Sequence, residues 1–315
     1  MYNRNYEYFT MIAKEKNISR AAEKLFVSQP SLSKFLIHLE KEIGAPLFER
    51  GKKRLELTPA GTLYLQYIQD AQRLREQFEN QLRQLNGSYK EHLSLGITPG
   101  FAALISYALL DCFHSQCPQA ELDLVEDYGM QIMTMFQHGR LNMVLSMSDA
   151  LSSEKSSRIR SIPVFPDRIL LVVPKPMAES YGLSLSDNSW DNPGCLEKPV
   201  FQNCHIITGK SDHILHQKTK RIIDAYHLRP QSVIETFSID NCLRMADAGY
   251  GIAFISQMYI ENGPRLNHSA FFFVNSELFD CTRVVYCHAD QLTLCQRNLI
   301  DVIRTVCSQL SSIPD

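Results

Sequence analysis
The chain has 315 residues, 44% hydrophobic and 21% charged, with a formal net charge of −2. That length holds two or three compact units and that composition is ordinary for a globular protein. No apolar run approaches the roughly 20 residues of a membrane span, and the start, MYNRNYEYF, lacks the apolar core of a signal peptide, so a cytoplasmic protein with no membrane partner is expected.

The nine cysteines are odd in number and form no paired Cys-x-x-Cys motif. That argues against a disulfide framework and a zinc site. The ten histidines are scattered, so no metal is expected, and no cofactor either. Charge is distributed unevenly. Residues 1–58 carry 11 Lys+Arg against 7 Asp+Glu, a net +4, while the remainder carries 21 against 27, a net −6. A basic head on an acidic body fits a nucleic-acid module fused to something else.

In chain order, residues 2–16 read as a first helix with Phe9, Ile12 and Ala13 on one face. Two short helical patterns follow between 18 and 43. Ser19 can cap the first, whose apolar face is Ala21, Ala22 and Leu25. Ser28 caps the second and Pro30 sits in its first turn, where a missing N–H costs nothing. Leu32, Phe35, Leu36, Leu39 and Ile43 recur at helical spacing, and Gly44 suits the left-handed residue past a helix end. Gln29, Ser31, Ser33 and Lys34 fall on the opposite side, which suits a recognition helix in the major groove. Candidate DNA-binding residues here are Arg20, Ser28, Gln29, Pro30, Ser31, Ser33 and Lys34.

Leu47, Phe48, Leu55 and Leu57 are the apolar ends of a wing whose tip is Arg50, Gly51, Lys52, Lys53 and Arg54. Alone, that tip reads as a solvated charged turn. Beside a recognition helix its four cations are candidates for phosphate contact. Thr58 and Pro59 start a long helix predicted to reach about Leu85, with Gly87 as its stop. Leu63, Tyr67, Ala71, Leu74, Phe78, Leu82 and Leu85 form one apolar stripe roughly 40 Å long. The stripe needs a partner, either its own domain or a second subunit.

From Leu93 strands and helices alternate, which implies a parallel sheet. HLSLGIT at 92–98, ELDLVED at 121–127 and LNMVLSM at 141–147 are predicted strands. RSIPVF crosses near Pro163 into a second unit that opens with DRILLVVP at 167–174. Residues 175–198 read as irregular. VFQNCHIIT at 200–208, SVIETF at 232–237 and IAFIS at 252–256 are strands, and FFFVN at 271–275 crosses back. The expected layout is 1–58, a linker helix at 59–88, and a body at 89–315, with lobe I at 89–164 and 271–315 and lobe II at 165–270.

In open parallel sheets, ligands bind at strand carboxyl ends beside helix N-termini. Three segments meet that description: Thr98, Pro99, Gly100 and Phe101; Thr208, Gly209, Lys210 and Ser211; and Phe237, Ser238 and Ile239. Hydroxyls and free N–H groups favour an anion, although each hydroxyl could equally be an ordinary helix cap. No nucleophile elbow, P-loop or metal-ligand spacing is present, so no catalytic residue is assigned and no enzyme is expected. An enzyme tethered by the winged head would need catalytic constellations that the sequence lacks.

SRAAEKLFVSQPSLSKFLIHLEKEIGAPLFER at 19–50 and LTPAG at 57–61 resemble the LysR-type transcriptional regulators, and SIDNCLRMADAGYGIAFIS at 238–256 resembles that family's helix–glycine–strand signature. The resemblance implies a fold class of α/β with an N-terminal all-α winged helix-turn-helix, a long linker helix and a two-lobed, periplasmic-binding-protein-like α/β regulatory domain. It implies double-stranded DNA and a small-molecule effector as partners, and a homodimer or homotetramer paired through the linker helix. RNA polymerase is a further candidate partner. Lys34 stands where the family usually has arginine, so the bidentate fork is lost there. Cys195 and Cys204, nine positions apart, approach the spacing of the reactive pair in peroxide-sensing members. A redox switch through them is the alternative to a ligand.

Overall fold
A computed structural model describes residues 4–49, 55–85, 91–137, 139–148, 159–288 and 292–310. The chain divides into two compact units, Met1–Ser88 and Tyr89–Asp315.

The first unit contains α1 (Arg4–Glu15), α2 (Ile18–Lys24), α3 (Gln29–Ile43) and α4 (Pro59–Leu85). The cap of α2 is Asn17, whose Oδ1 accepts from the Arg20 N–H at 3.1 Å. Ser19, expected to cap, lies inside the first turn instead. Ser28 does cap α3, accepting from the Ser31 N–H at 3.4 Å, with Pro30 in the first turn and Gly44 at φ 78° ending the helix. Phe9, Ile12, Ala21, Ala22, Leu32, Leu36, Leu39, Leu47, Phe48 and Ile68 form the core. Of the predicted stripe, Phe35 is half-buried and Ile43 is exposed.

The base of the wing is tied to α3. Glu40, a buried carboxylate, accepts from the Leu47 N–H at 2.8 Å and the Phe48 N–H at 3.3 Å. Phe48 bridges Leu57 in antiparallel fashion. The tip, 50–54, lies outside the described residues, as do Gly87 and the end of the linker segment. Along α4, Ile68 is buried while Leu63, Tyr67, Leu74, Phe78 and Leu82 are exposed. Among the described residues no helix is long and apolar enough to cross a membrane.

The second unit runs β1 (Glu91–Ile97), α5 (Pro99–Gln116), β2 (Ala120–Glu126), α6 (Gly129–Gln137), β3 (Met143–Met147), β4 (Ile159–Pro174), α7 (Lys175–Ser180), β5 (Gly194–Leu196), β6 (His205–Gly209), α8 (Ile214–Ala225), β7 (Ser232–Thr236), α9 (Ile239–Asp247), β8 (Ile252–Ser256), α10 (Gln257–Glu261), β9 (Ser269–Val274), β10 (Asp280–His288) and α11 (Leu294–Leu310). The strand order is β2-β1-β3-β10-β4-β8-β6-β7, with β9 joining β4 to β5. β1 is parallel to β2 and β3, and β6 to β7 and β8, as the alternation implies. β10 runs antiparallel to β3 and β4, so the sheet is mixed.

The strand β4 joins the lobes. It is 16 residues long, pairing with β10 over 159–168 and with β8 and β9 over 169–174. β9 therefore belongs to lobe II, and the chain crosses back between Val274 and Asp280, later than residue 271. Phe271 and Phe272 of the apolar FFFV run pair with Val172 and Leu171 near the C-terminal end of β4, and the run is buried except for the half-buried Phe273. β6 begins at His205 and not at 200, after Asn203 at φ 54° breaks the extended run. α7, β5 and α10 stand where the sequence shows no clear period.

Candidate functional site
A cleft of about 520 Å³ opens between the lobes. Lobe I supplies Thr98, Pro99, Gly100, Leu104, Tyr128, Gly129, Ser146, Met147 and Arg283. Lobe II supplies His213, Ile214, Leu215, Phe237, Ser238, Ile239, Asp240, Ser256 and Tyr259. The N-termini of α5, α6, α8 and α9 all reach this cleft. Each brings the positive end of a helix dipole. Thr98, His213 and Ser238 hold the N-cap positions of α5, α8 and α9, yet none makes a side-chain cap hydrogen bond. The hydroxyls of Thr98 and Ser238 are thus not spent as caps.

Arg283 forms the deep wall. Its guanidinium lies 3.0 Å from Asp167 Oδ2, and Nη2 donates to Ser256 Oγ at 3.0 Å. Ser256 in turn donates to Asp167. The guanidinium also lies over the rings of Phe101, at 4.6 Å, and Tyr259, at 5.3 Å. Burial is the largest single influence and pushes the arginine pKa down; the Asp167 carboxylate, by charge and hydrogen bond, together with Tyr259 and Cys281 outweighs it and raises the pKa, so the cation persists at any working pH.

The sequence-derived candidates divide. Thr98, Pro99, Gly100, Phe237, Ser238 and Ile239 line the cleft. Phe101 is buried beneath it, under Arg283. Thr208, Gly209, Lys210 and Ser211 are not in the lining. Thr208 is buried, with a hydroxyl lacking a hydrogen-bond partner, and Lys210 lies 3.9 Å from Glu235 and 5.1 Å from the Phe237 ring. Tyr128, Gly129 and His213 follow the same strand-end rule as Thr98 and could have been found by it. Arg283 gives no such signal, because in sequence it is one polar residue within a strand.

In the first unit Ser28, Gln29, Pro30, Ser31 and Lys34 are exposed at or near the start of α3, with Ser33 half-buried among them, and Arg20 is exposed on α2. Arg50, Lys52, Lys53 and Arg54 lie outside the described residues. Cys195 is exposed on β5, while burial pushes the Cys204 thiol pKa up, away from the reactive thiolate. Among the described residues no group of His, Cys, Asp and Glu could hold a metal.

A helix-turn-helix unit followed by a two-lobed α/β unit with a cleft at its strand ends defines a transcription regulator with an effector-binding domain. Residues 3–62 match the family model described as bacterial regulatory helix-turn-helix protein, lysR family, and residues 86–308 match the LysR substrate binding domain. The chain belongs to the LysR family, with the fold class that its sequence implied.

Among relatives, it is 27% identical over 256 residues, 80% of this chain and 79% of the other, to a protein named probable cat1 operon transcriptional activator of Acinetobacter lwoffii. It is 32% identical over 173 residues, 54% of this chain and 56% of the other, to the Hca operon transcriptional activator HcaR of Escherichia coli. Among solved structures, a full-length OxyR variant from Pseudomonas aeruginosa superposes with a TM-score of 0.59 at 18% identity, covering 100% of this chain and 99% of that one. Full-length CbnR complexed with its target DNA gives 0.53 at 17% identity, covering 97% and 100%. At these identities the likeness is one of fold.

Proposed function
We propose that the protein is a sequence-specific DNA-binding regulator controlled by a small organic anion held between its lobes. One observation carries the reading: four helix N-termini and a buried arginine converge on one cleft with apolar walls. Positive dipole ends and a guanidinium favour a carboxylate or similar anion, and Leu104, Met147, Tyr128 and Phe237 suit an apolar body attached to it. Thr98, Pro99, Gly100, Phe237, Ser238 and Ile239 contact the effector in this reading. Phe101 supports Arg283 from below, and Thr208, Gly209, Lys210 and Ser211 act from behind the Phe237 wall.

Gln29 and Ser33 read bases, and Arg20, Ser28, Pro30, Ser31, Lys34, Arg50, Lys52, Lys53 and Arg54 position the duplex. The exposed stripe of α4 pairs two subunits, giving a homodimer or homotetramer that works in the cytoplasm and acts on RNA polymerase at promoters. The raised thiol of Cys204 favours a ligand over a Cys195–Cys204 redox switch. Calorimetric titration of small carboxylates into wild type and Thr98→Ala tests the cleft; unchanged affinity in the variant counts against it. A DNA-shift assay across a salt series tests the head, because phosphate contacts make affinity fall steeply as salt rises.

A further inference from the structure
The cleft is spanned by a contact that anion binding does not require. Tyr128, just before α6 in lobe I, stacks on His213, just before α8 in lobe II, with ring centroids 4.2 Å apart and planes 17° from parallel. Beside it, a Cβ on Gly129 would stand 2.7 Å from Ile214 Cγ1, so the lobes meet here as closely as a bare backbone allows. Gly209 packs against the imidazole; a Cβ there would collide with His213 Nδ1. The ring is packed against both Gly209 and Tyr128. It is 8% exposed, and its Nε2 is buried without a hydrogen-bond partner.

We propose that the Tyr128–His213 stack is a pH-sensitive latch holding the lobes closed over the cleft, released when His213 gains a proton. The latch's purpose rests on the effector reading; its geometry does not. Few groups compensate a charge on that ring. From its own segment Asp212 stands 3.8 Å from Nε2, with His216 one helical turn on. From β7 comes Glu235, already shared with Lys210 at 3.9 Å and His216 at 4.0 Å. Among the described residues, the lobe I group stacked on the ring is the phenol of Tyr128. Burial dominates and pushes the His213 pKa down, against the smaller upward pull of Asp212 and Glu235, with His216 adding to the depression.

When the lobes part, the ring meets water and its pKa returns toward about 6.5. The closed form then binds fewer protons than the open one below that value. Closure is fully favoured above it and is lost as pH falls.

Amide exchange on the full-length, ligand-free protein at pH 7.5 and 5.5, corrected for intrinsic rates, tests the latch. Protection of the turns opening α6 and α8 is expected to fall by up to roughly tenfold at pH 5.5, one unit below the ordinary imidazole value. His213→Phe keeps a stacking ring that cannot titrate, and His213→Gln keeps polarity without titration. A flat pH response in either variant that folds, beside a sloping wild type, supports the latch. A flat wild type, or a variant with the wild-type slope, overturns it. No ligand enters this measurement, so its failure leaves the effector reading standing, and failed carboxylate titrations leave the latch measurable.

Discussion
Arg283 Nη2 lies 3.0 Å from Asp167 Oδ2, and the two side chains are 4% and 0% exposed. They join β10 to β4 near the middle of β4, where it passes from one lobe to the other. Asp167 also accepts from the Arg168 N–H at 2.8 Å and from Ser256, so the carboxylate is satisfied only while the network is whole. Arg283→Leu leaves a buried charge without its partner, which costs on the order of 3–5 kcal/mol. The Asp167→Leu, Arg283→Leu double variant is expected to recover a large part of that loss, because an apolar pair of similar volume replaces the ion pair. Denaturant unfolding of the two variants and wild type measures both effects. The double variant is also expected to lose affinity for carboxylates, since the cleft's deep cation is gone.

Glu40 holds the wing onto the recognition helix. Its Oε1 accepts two backbone N–H groups, from Leu47 and Phe48, inside the first unit's core. Glu40→Ala strands both donors away from water, at about 1–3 kcal/mol. DNA affinity is expected to fall with stability, because the strand leading into the basic tip loses its anchor. Glu40→Gln keeps an acceptor oxygen and should fall between the two. Thermal melting paired with fluorescence anisotropy on a DNA duplex resolves the series.

Local chemistry made the helix-turn-helix legible in sequence. A proline in the first turn, a hydroxyl cap and a glycine stop mark α3 without reference to the rest of the chain. Ser19 misled because two polar residues, Asn17 and Ser19, both offer a capping oxygen, and only backbone geometry decides between them. In the second unit, strand ends beside helix starts located Thr98 and Ser238. The other half of the cleft was hidden because long-range register assembles it. Arg283 becomes a cleft residue only when β10 lies against β4 and brings it to Asp167, 116 positions away. The Lys210 segment satisfies the same strand-end rule as Thr98 but turns toward Glu235, a choice no periodicity records.

The exposed stripe on α4 predicts an oligomer. Leu63, Leu74 and Phe78 are 68%, 59% and 60% exposed within the first unit, apolar and on one helix. Burying such a side chain yields roughly 1.5–3 kcal/mol, and a two-fold interface uses each one twice. Leu74→Asp together with Phe78→Asp is expected to convert the wild-type oligomer to monomers in sedimentation velocity, with the helical circular-dichroism signal largely kept. A wild type that already sediments as a monomer would remove this surface from the account.

Base reading and phosphate contact separate by their response to sequence and salt. Gln29 is the first residue of α3 and is exposed beside the Ser28 cap. Its amide can both donate and accept at an adenine edge, so Gln29→Ala should cost about 1–3 kcal/mol on the preferred site and little on others. Lys34 is exposed one turn later, and a lysine there neutralises phosphate without a fork. Lys34→Ala and Lys53→Ala are therefore expected to weaken binding to all duplexes alike and to reduce the salt slope by about one unit each. Anisotropy titrations against a selected operator and a scrambled duplex, at several salt concentrations, distinguish the two roles. Equal loss on both duplexes for Gln29→Ala would place that side chain on the backbone and leave Ser33 and the wing to read sequence.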